Sequence, residues 1–162
     1  EKPLVVVGTA PYNGDYIARV RSSADARVRL LGGVWDQDLL NQLYAHSLLY
    51  LHGHSVGGTN PSLLRALGAG APVAAFDVEF NREVLGDGGT FFDTADSVAH
   101  VVVAAELSAA SREERSRASR DRARAYDWDA VTDSYEALFQ RLHAEGPTRN
   151  RPTGRRATVA EW

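Results

Sequence analysis

The residues of this chain best suited to chemistry lie between His52 and Asn60, in the run His52-Gly53-His54-Ser55-Val56-Gly57-Gly58-Thr59-Asn60, followed by Pro61-Ser62-Leu63-Leu64-Arg65. The apolar stretch Leu48-Leu49-Tyr50-Leu51 before it reads as a buried strand. Gly57-Gly58 opens backbone angles closed to residues with a Cβ, and Asn60-Pro61 supplies a helix cap with proline at the first helical position. A helix beginning there turns free backbone N–H groups and the positive end of its dipole toward whatever lies beyond the strand. Such a turn suits an anion, a diphosphate for example. Read alone, the same residues also fit a tight strand-to-helix connection.

Other polar groups carry paired readings. His52 and His54 alternate at a strand end and so can point to one side, as a zinc-binding pair would, although no third ligand is evident. Alternatively they shape the turn, with His54 near the ligand. Asp77, Asn81, Arg82 and Glu83 follow the end of a strand and form a candidate cleft cluster, led by Asp77 and Asn81, while Arg82 and Glu83 also fit a solvated helix pair. Arg112, Arg115, Arg117, Arg120, Arg122 and Arg124 would suit an anionic lipid surface, but Glu113, Glu114 and Asp121 interrupt them, as on an ordinary solvated helix. Trp128 and Tyr135 read as packing residues of an amphipathic helix.

The whole sequence bounds these readings. Its 162 residues suffice for one domain with a substantial core, and a net charge of -3 argues against a nucleic-acid-binding domain. With no cysteine there is no disulfide framework and no thiolate metal site. No apolar run approaches the roughly 20 residues that span a bilayer, and nothing resembles a signal peptide. A cytoplasmic protein is expected. The absence of methionine and the abrupt opening on Glu1-Lys2-Pro3 read as a fragment of a longer polypeptide. All basic residues but Lys2 are arginine, and alanine is abundant, a bias of GC-rich bacterial genomes.

The elements that would position the turn alternate in type. Leu4-Val5-Val6-Val7-Gly8 has the pattern of a parallel strand buried on both faces, followed by a short helix at 15–20, a strand at 27–33 and an amphipathic helix at 36–44. After the strand at 48–51 and the helix from Pro61 come strands at 72–76 and 90–92, then helices at 95–107, 111–126 and 128–142. The order predicts an α/β fold, a Rossmann-like parallel sheet with helices on both faces, over residues 1–144. Residues 145–162, rich in Pro, Gly, Thr and Arg, read as a disordered tail or one borrowed by a partner. Ligands of such sheets sit beyond the carboxyl ends of the strands, where Gly8, Gly32-Gly33, the turn from His52 to Asn60 and Phe76-Asp77 should gather.

From about Pro3 to Leu142 these residues resemble the carboxyl-terminal, nucleotide-binding domain of family 4 glycosyltransferases of the two-domain GT-B fold, in particular the bacterial rhamnosyltransferase-like branch. The resemblance rests on His52 to Leu63, Gly68-Ala69-Gly70, Phe80-Asn81-Arg82-Glu83-Val84 and Arg27-Val28-Arg29-Leu30-Leu31-Gly32. It implies a nucleotide-sugar donor, transfer with retention of anomeric configuration, and neither metal nor other cofactor. It also implies that the backbone at Gly57, Gly58, Thr59 and Asn60 meets the sugar and distal phosphate, with His54 near the sugar. The loop Gly33-Val34 meets the base, and Arg65 falls at a nucleoside-binding position.

Two departures accompany the resemblance. The family carries two glutamates separated by seven residues, the second on the ribose; their places are held here by Gly57 and Arg65. Arg65 is a cationic donor where an acceptor is usual, so a deoxynucleotide donor such as dTDP-rhamnose and an Arg65–phosphate contact are both open. The family's diphosphate-neutralising Arg and Lys, and its acceptor-binding domain, lie upstream of the matched residues. The expectations are therefore a domain inactive without that acceptor partner, which self-associates through uncovered surfaces and, in the full-length protein, touches the membrane periphery. The competing readings are a non-catalytic nucleotide-binding or scaffolding domain and an epimerase of the related two-domain kind.

Overall fold

Short β-branched runs separated by helical segments can join successive strands only by crossovers, which makes the pairing parallel. The computed structural model describes residues 2–146 and has this alternation. Its elements are β1 (Leu4–Val7), α1 (Gly14–Ser23), β2 (Val28–Gly32), α2 (Gln37–Ala45), β3 (Tyr50–His52), α3 (Pro61–Gly68), β4 (Val73–Phe76), α4 (Glu79–Leu85), β5 (Gly89–Phe92), α5 (Ala95–Leu107), α6 (Ala109–Ala123) and α7 (Trp128–Glu145). The fold is the expected α/β, Rossmann-like class, with helices on both sides of parallel strands. The strands form two hydrogen-bonded groups, β1-β2 and β3-β4-β5. Leu4 registers with Val28, Tyr50 with Val73, and Val73 with Gly89.

The chain divides into two compact units, residues 1–125 and 126–162. In the first, the core sits around β4: Leu63, Ala66 and Leu67 of α3, Val73, Ala74 and Ala75, and Val84 and Leu85 are at most 2% exposed. Each large aliphatic side chain buried in this way contributes about 1.5–3 kcal/mol. In contrast, β1 is not buried on both faces as its composition predicts; Leu4, Val5, Val6 and Val7 are 37–49% exposed. Its one ladder is to β2, and neither α1 nor α2 buries any of its own residues, so the two faces are covered only in part.

Two of the six arginines expected on one solvated helix, Arg112 and Arg122, instead bond backbone carbonyls of neighbouring helices, while Arg117, Arg120 and Arg124 are exposed. Arg112 Nη1 donates to the carbonyl of Ala105 at 2.6 Å, at the end of α5. Arg122 donates to Val84 O at 2.8 Å and Glu83 O at 2.5 Å, closing the carboxyl end of α4. These are the cations a helix C-terminus favours. Ser116 Oγ bonds Gly70 O at 2.7 Å, and fully buried Ser119 bonds Ala71 O at 2.8 Å and Gly88 O at 3.2 Å. Gly70, at φ +71°, lets Arg120 lie where a Cβ would stand.

The described part of the second unit is dominated by α7, capped by Asp127, whose side chain accepts from Asp129 N–H at 2.9 Å. No residue of α7 is buried. Trp128 and Tyr135, expected as packing residues, are 81% and 58% exposed. The amphipathic pattern forms a helix, as the sequence predicts. Residues 147–162, and with them nearly all of the expected tail, lie outside the described residues. Among the described residues no helix is long and apolar enough to cross a membrane.

Candidate functional site

The carboxyl ends of the strands, expected to gather on one rim, are hydrogen-bonded together only within each strand group. Gly8 N–H donates to Gly32 O at 2.8 Å across β1 and β2, and Asp77 N–H donates to Phe92 O at 2.8 Å across β4 and β5. Between β3 and α3 runs the glycine turn. Strand pairing starts at Tyr50, whose N–H donates to Pro72 O at 2.8 Å, so His52 is the last strand residue rather than part of the turn.

At its helical end, Asn60 is the N-cap of α3 and Pro61 its first residue, as the sequence predicts. Asn60 Oδ1 accepts from Ser62 N–H at 2.9 Å and from Ser62 Oγ–H at 2.7 Å. Both bonds fall on the carbonyl oxygen, leaving the amide nitrogen without a protein acceptor among the described residues. Gly57 has φ +136°, a region that favours glycine, whereas Gly58 has no positive φ. A Cβ at Gly58 would meet no atom within 4 Å. Neither strain nor protein packing requires glycine at position 58, so the open space above it is available to a ligand approaching the backbone.

His54 and Asn81 come together, though not as cleft neighbours. Asn81, on α4, is fully buried; its Nδ2 donates to His54 O at 3.0 Å and to Phe76 O at 2.9 Å. It ties the backbone of the turn to the end of β4 from beneath. The rings of His54 and His52 stack, with centroids 4.5 Å apart and planes at 23°. His52 is 1% exposed, and burial, with the His54 ring as a smaller cause, lowers its pKa from 6.5 to about 4. It is a neutral core imidazole at physiological pH. Among the described residues no three His, Cys, Asp or Glu side chains cluster as metal ligands.

Asp77 is engaged by Arg82, whose Nε and Nη2 both donate to its carboxylate, the latter at 2.6 Å. Arg82 therefore pairs with Asp77 and not with Glu83, and its guanidinium lies 4.7 Å over the Phe91 ring. Arg65 is exposed in the last turn of α3 and has no side-chain partner among the described residues. Gly33 and Val34 follow β2, in the other strand group, where the indole of Trp35 lies over Gly33, its Nε1 3.3 Å from where a Cβ would be. Sequence reasoning missed Tyr50 and Ser62, which join His52 to Asn60. The available signal was the two-residue spacing of Tyr50 and His52 along a strand.

Comparison with known proteins places this geometry in context. The family profile of glycosyl transferases group 1 matches residues 1–109. No curated protein matches the sequence significantly. Among solved structures, Anabaena HepE in complex with UDP superposes with a TM-score of 0.78 at 18% identity, over 87% of this chain and 41% of that chain. HepE with UDP-glucose gives 0.75 at 18% identity, over 86% and 41%. Sucrose-phosphate synthase from Thermosynechococcus elongatus gives 0.77 at 19% identity, over 88% and 39%. At such identities the likeness is one of fold. The chain spans about two fifths of the length of these structures.

Proposed function

The chain belongs to the glycosyl transferases group 1 family, and on that premise we propose that it is the donor-binding domain of a retaining glycosyltransferase of the GT-B type. It takes a nucleotide-sugar and, together with an acceptor-binding domain outside these residues, passes the sugar to a saccharide or lipid-linked acceptor. The observation that carries this reading is the β3–α3 turn. There an open backbone at Gly58 and an Asn60 amide nitrogen with no acceptor among the described residues offer donors without a cation. The start of α3 adds the positive end of its dipole but no spare N–H, since Pro61 has none, Ser62 N–H is held by Asn60 Oδ1 and Leu63 N–H by Asn60 O. A departing nucleoside diphosphate gathers negative charge, and dipoles already aimed at that charge lower the barrier. The reading is supported by two structures of similar fold that hold UDP and UDP-glucose.

Arg65 supports a reading of the donor's nucleoside. Exposed and without a side-chain partner among the described residues, it can meet a ligand, and as a donor-only group it suits a phosphate or a deoxyribose better than a pair of ribose hydroxyls. We take dTDP-rhamnose as the candidate donor. The same substitutions at 57 and 65 favour, as a second reading, a domain that binds nucleotide without catalysis. The full-length enzyme is read as cytoplasmic, with a peripheral membrane contact.

Calorimetric titration of the chain with dTDP, UDP and GDP, repeated with Arg65→Ala, tests the proposal. Saturable binding of one nucleotide, weakened by the substitution, is expected. Preference for UDP over dTDP would remove the deoxynucleotide assignment, and no binding at millimolar nucleotide would sink the donor site in this chain. Sugar transfer by these residues alone would refute the need for an acceptor domain.

A further inference from the structure

Tyr50 and His52 lie two residues apart on β3 and so share a face. Tyr50 Oη is 3.2 Å from His52 Nδ1 and 3.1 Å from Ser62 Oγ, which in turn is 2.7 Å from Asn60 Oδ1. Tyr44 is a further side-chain partner of the Tyr50 hydroxyl. Followed from the Asn60 end, the protons along the chain to His52 run one way. Asn60 Oδ1 has no hydrogen, so the Ser62 hydroxyl donates to it. Ser62 Oγ then offers Tyr50 only lone pairs, so the Tyr50 hydroxyl donates to Ser62. Tyr50 Oη is then an acceptor toward His52, whose hydrogen sits on Nδ1. The bare nitrogen is Nε2, which is buried and has no hydrogen-bond partner among the described residues.

We propose that His52, Tyr50 and Ser62 are positioning residues for the donor, a one-way hydrogen-bond relay that holds the Asn60 carboxamide with Oδ1 against α3 and Nδ2 free to donate to the diphosphate or sugar. This rests on the donor-site reading above. The relay works by exclusion: a flipped Asn60 amide would set its NH2 against both the Ser62 N–H and the Ser62 hydroxyl hydrogen. Burial keeps the two titratable members of the relay in the required protonation state. The pKa of His52 is lowered to about 4 and that of Tyr50 pushed up to about 12. Edge contact with Tyr44, centroids 5.2 Å apart, fixes the Tyr50 ring.

The test is long-range proton–nitrogen NMR of the whole chain, combined with UDP and dTDP titration. Native His52 is expected to carry its proton on Nδ1, and Tyr50→Phe to lose that single tautomer. Tyr50→Phe and Ser62→Ala should each weaken nucleotide binding by about two- to tenfold, the range of one neutral hydrogen bond. Asn60→Asp retains a good N-cap but has no N–H to donate; it should leave the thermal midpoint in place and weaken binding by about tenfold or more. A native proton on Nε2 overturns the relay. The expected tautomer with unchanged affinity in all three variants overturns the positioning role. If the native chain binds neither nucleotide, the donor reading fails and takes the positioning role with it, while the tautomer still reports the wiring, so the two failures are told apart.

Discussion

Acidification from pH 7.5 to 5 is expected to remove about 2 kcal/mol of stability through His52 alone. The imidazole is 1% exposed, and its folded pKa is lowered from 6.5 to about 4, first by burial and then by the neighbouring His54. Between those two values the unfolded chain binds a proton that the folded chain refuses. Stability therefore falls as pH falls, beginning near 6.5 and levelling off near 4. The gap between 6.5 and about 4 is worth about 3 kcal/mol in full, of which about 2 kcal/mol is lost by pH 5. Against a total of roughly 5–15 kcal/mol for a domain, that is readily measured. Urea unfolding at a series of pH values, for the native chain and for His52→Gln, isolates the effect because every other titrating group is shared. The native curve should steepen relative to the variant by about 2 kcal/mol between pH 7.5 and 5. Parallel curves, or a His52 Cε1 proton titrating near 6.5 by NMR, would refute the reasoning.

Three further outcomes follow from the same geometry. Asn81→Ala leaves the carbonyls of His54 and Phe76 without their shared donor and should cost about 2–4 kcal/mol in urea unfolding, with faster amide exchange across residues 53–60. Gly58→Ala should shift stability by no more than about 0.5 kcal/mol yet weaken nucleotide binding in calorimetry, whereas Gly57→Ala, at φ +136°, should cost about 1–2 kcal/mol of stability as well. Equal affinity in Gly58→Ala and native chain would mean that no ligand approaches that backbone. Ser119→Ala removes the donor to Ala71 O and Gly88 O from a fully buried site and should lower the unfolding free energy by about 1–3 kcal/mol, without changing nucleotide affinity.

Much of the molecule was legible before its coordinates, and the reasons are local. The alternation of β-branched runs with capped amphipathic segments set the α/β class, because strand and helix periodicity are properties of neighbouring residues. Asn60-Pro61 marked the start of α3 for the same reason: an N-cap and its proline act within one turn. The helix α4 was less legible, since Glu79 to Leu85 is short and begins at Val78, which makes no side-chain cap. Likewise Trp128 and Tyr135 looked like core by periodicity, yet periodicity reports which residues share a face and not whether anything covers it.

What the sequence by itself determined was the order of elements, the family and the glycine turn leading into a capped helix, all of which depend on contacts a few residues apart. Tertiary structure alone decided what each polar side chain does. Asn81 became a clamp beneath the turn because α4 lays it against the carbonyls of His54 and Phe76. Arg122 became a helix cap because α6 crosses the end of α4, and Arg82 found Asp77 rather than the adjacent Glu83. The orientation of Asn60 is traced through Ser62 and Tyr50 to His52 on another element. A donor and an acceptor are paired by distance and direction in space, and residues 27 or 39 positions apart meet only once the chain has folded.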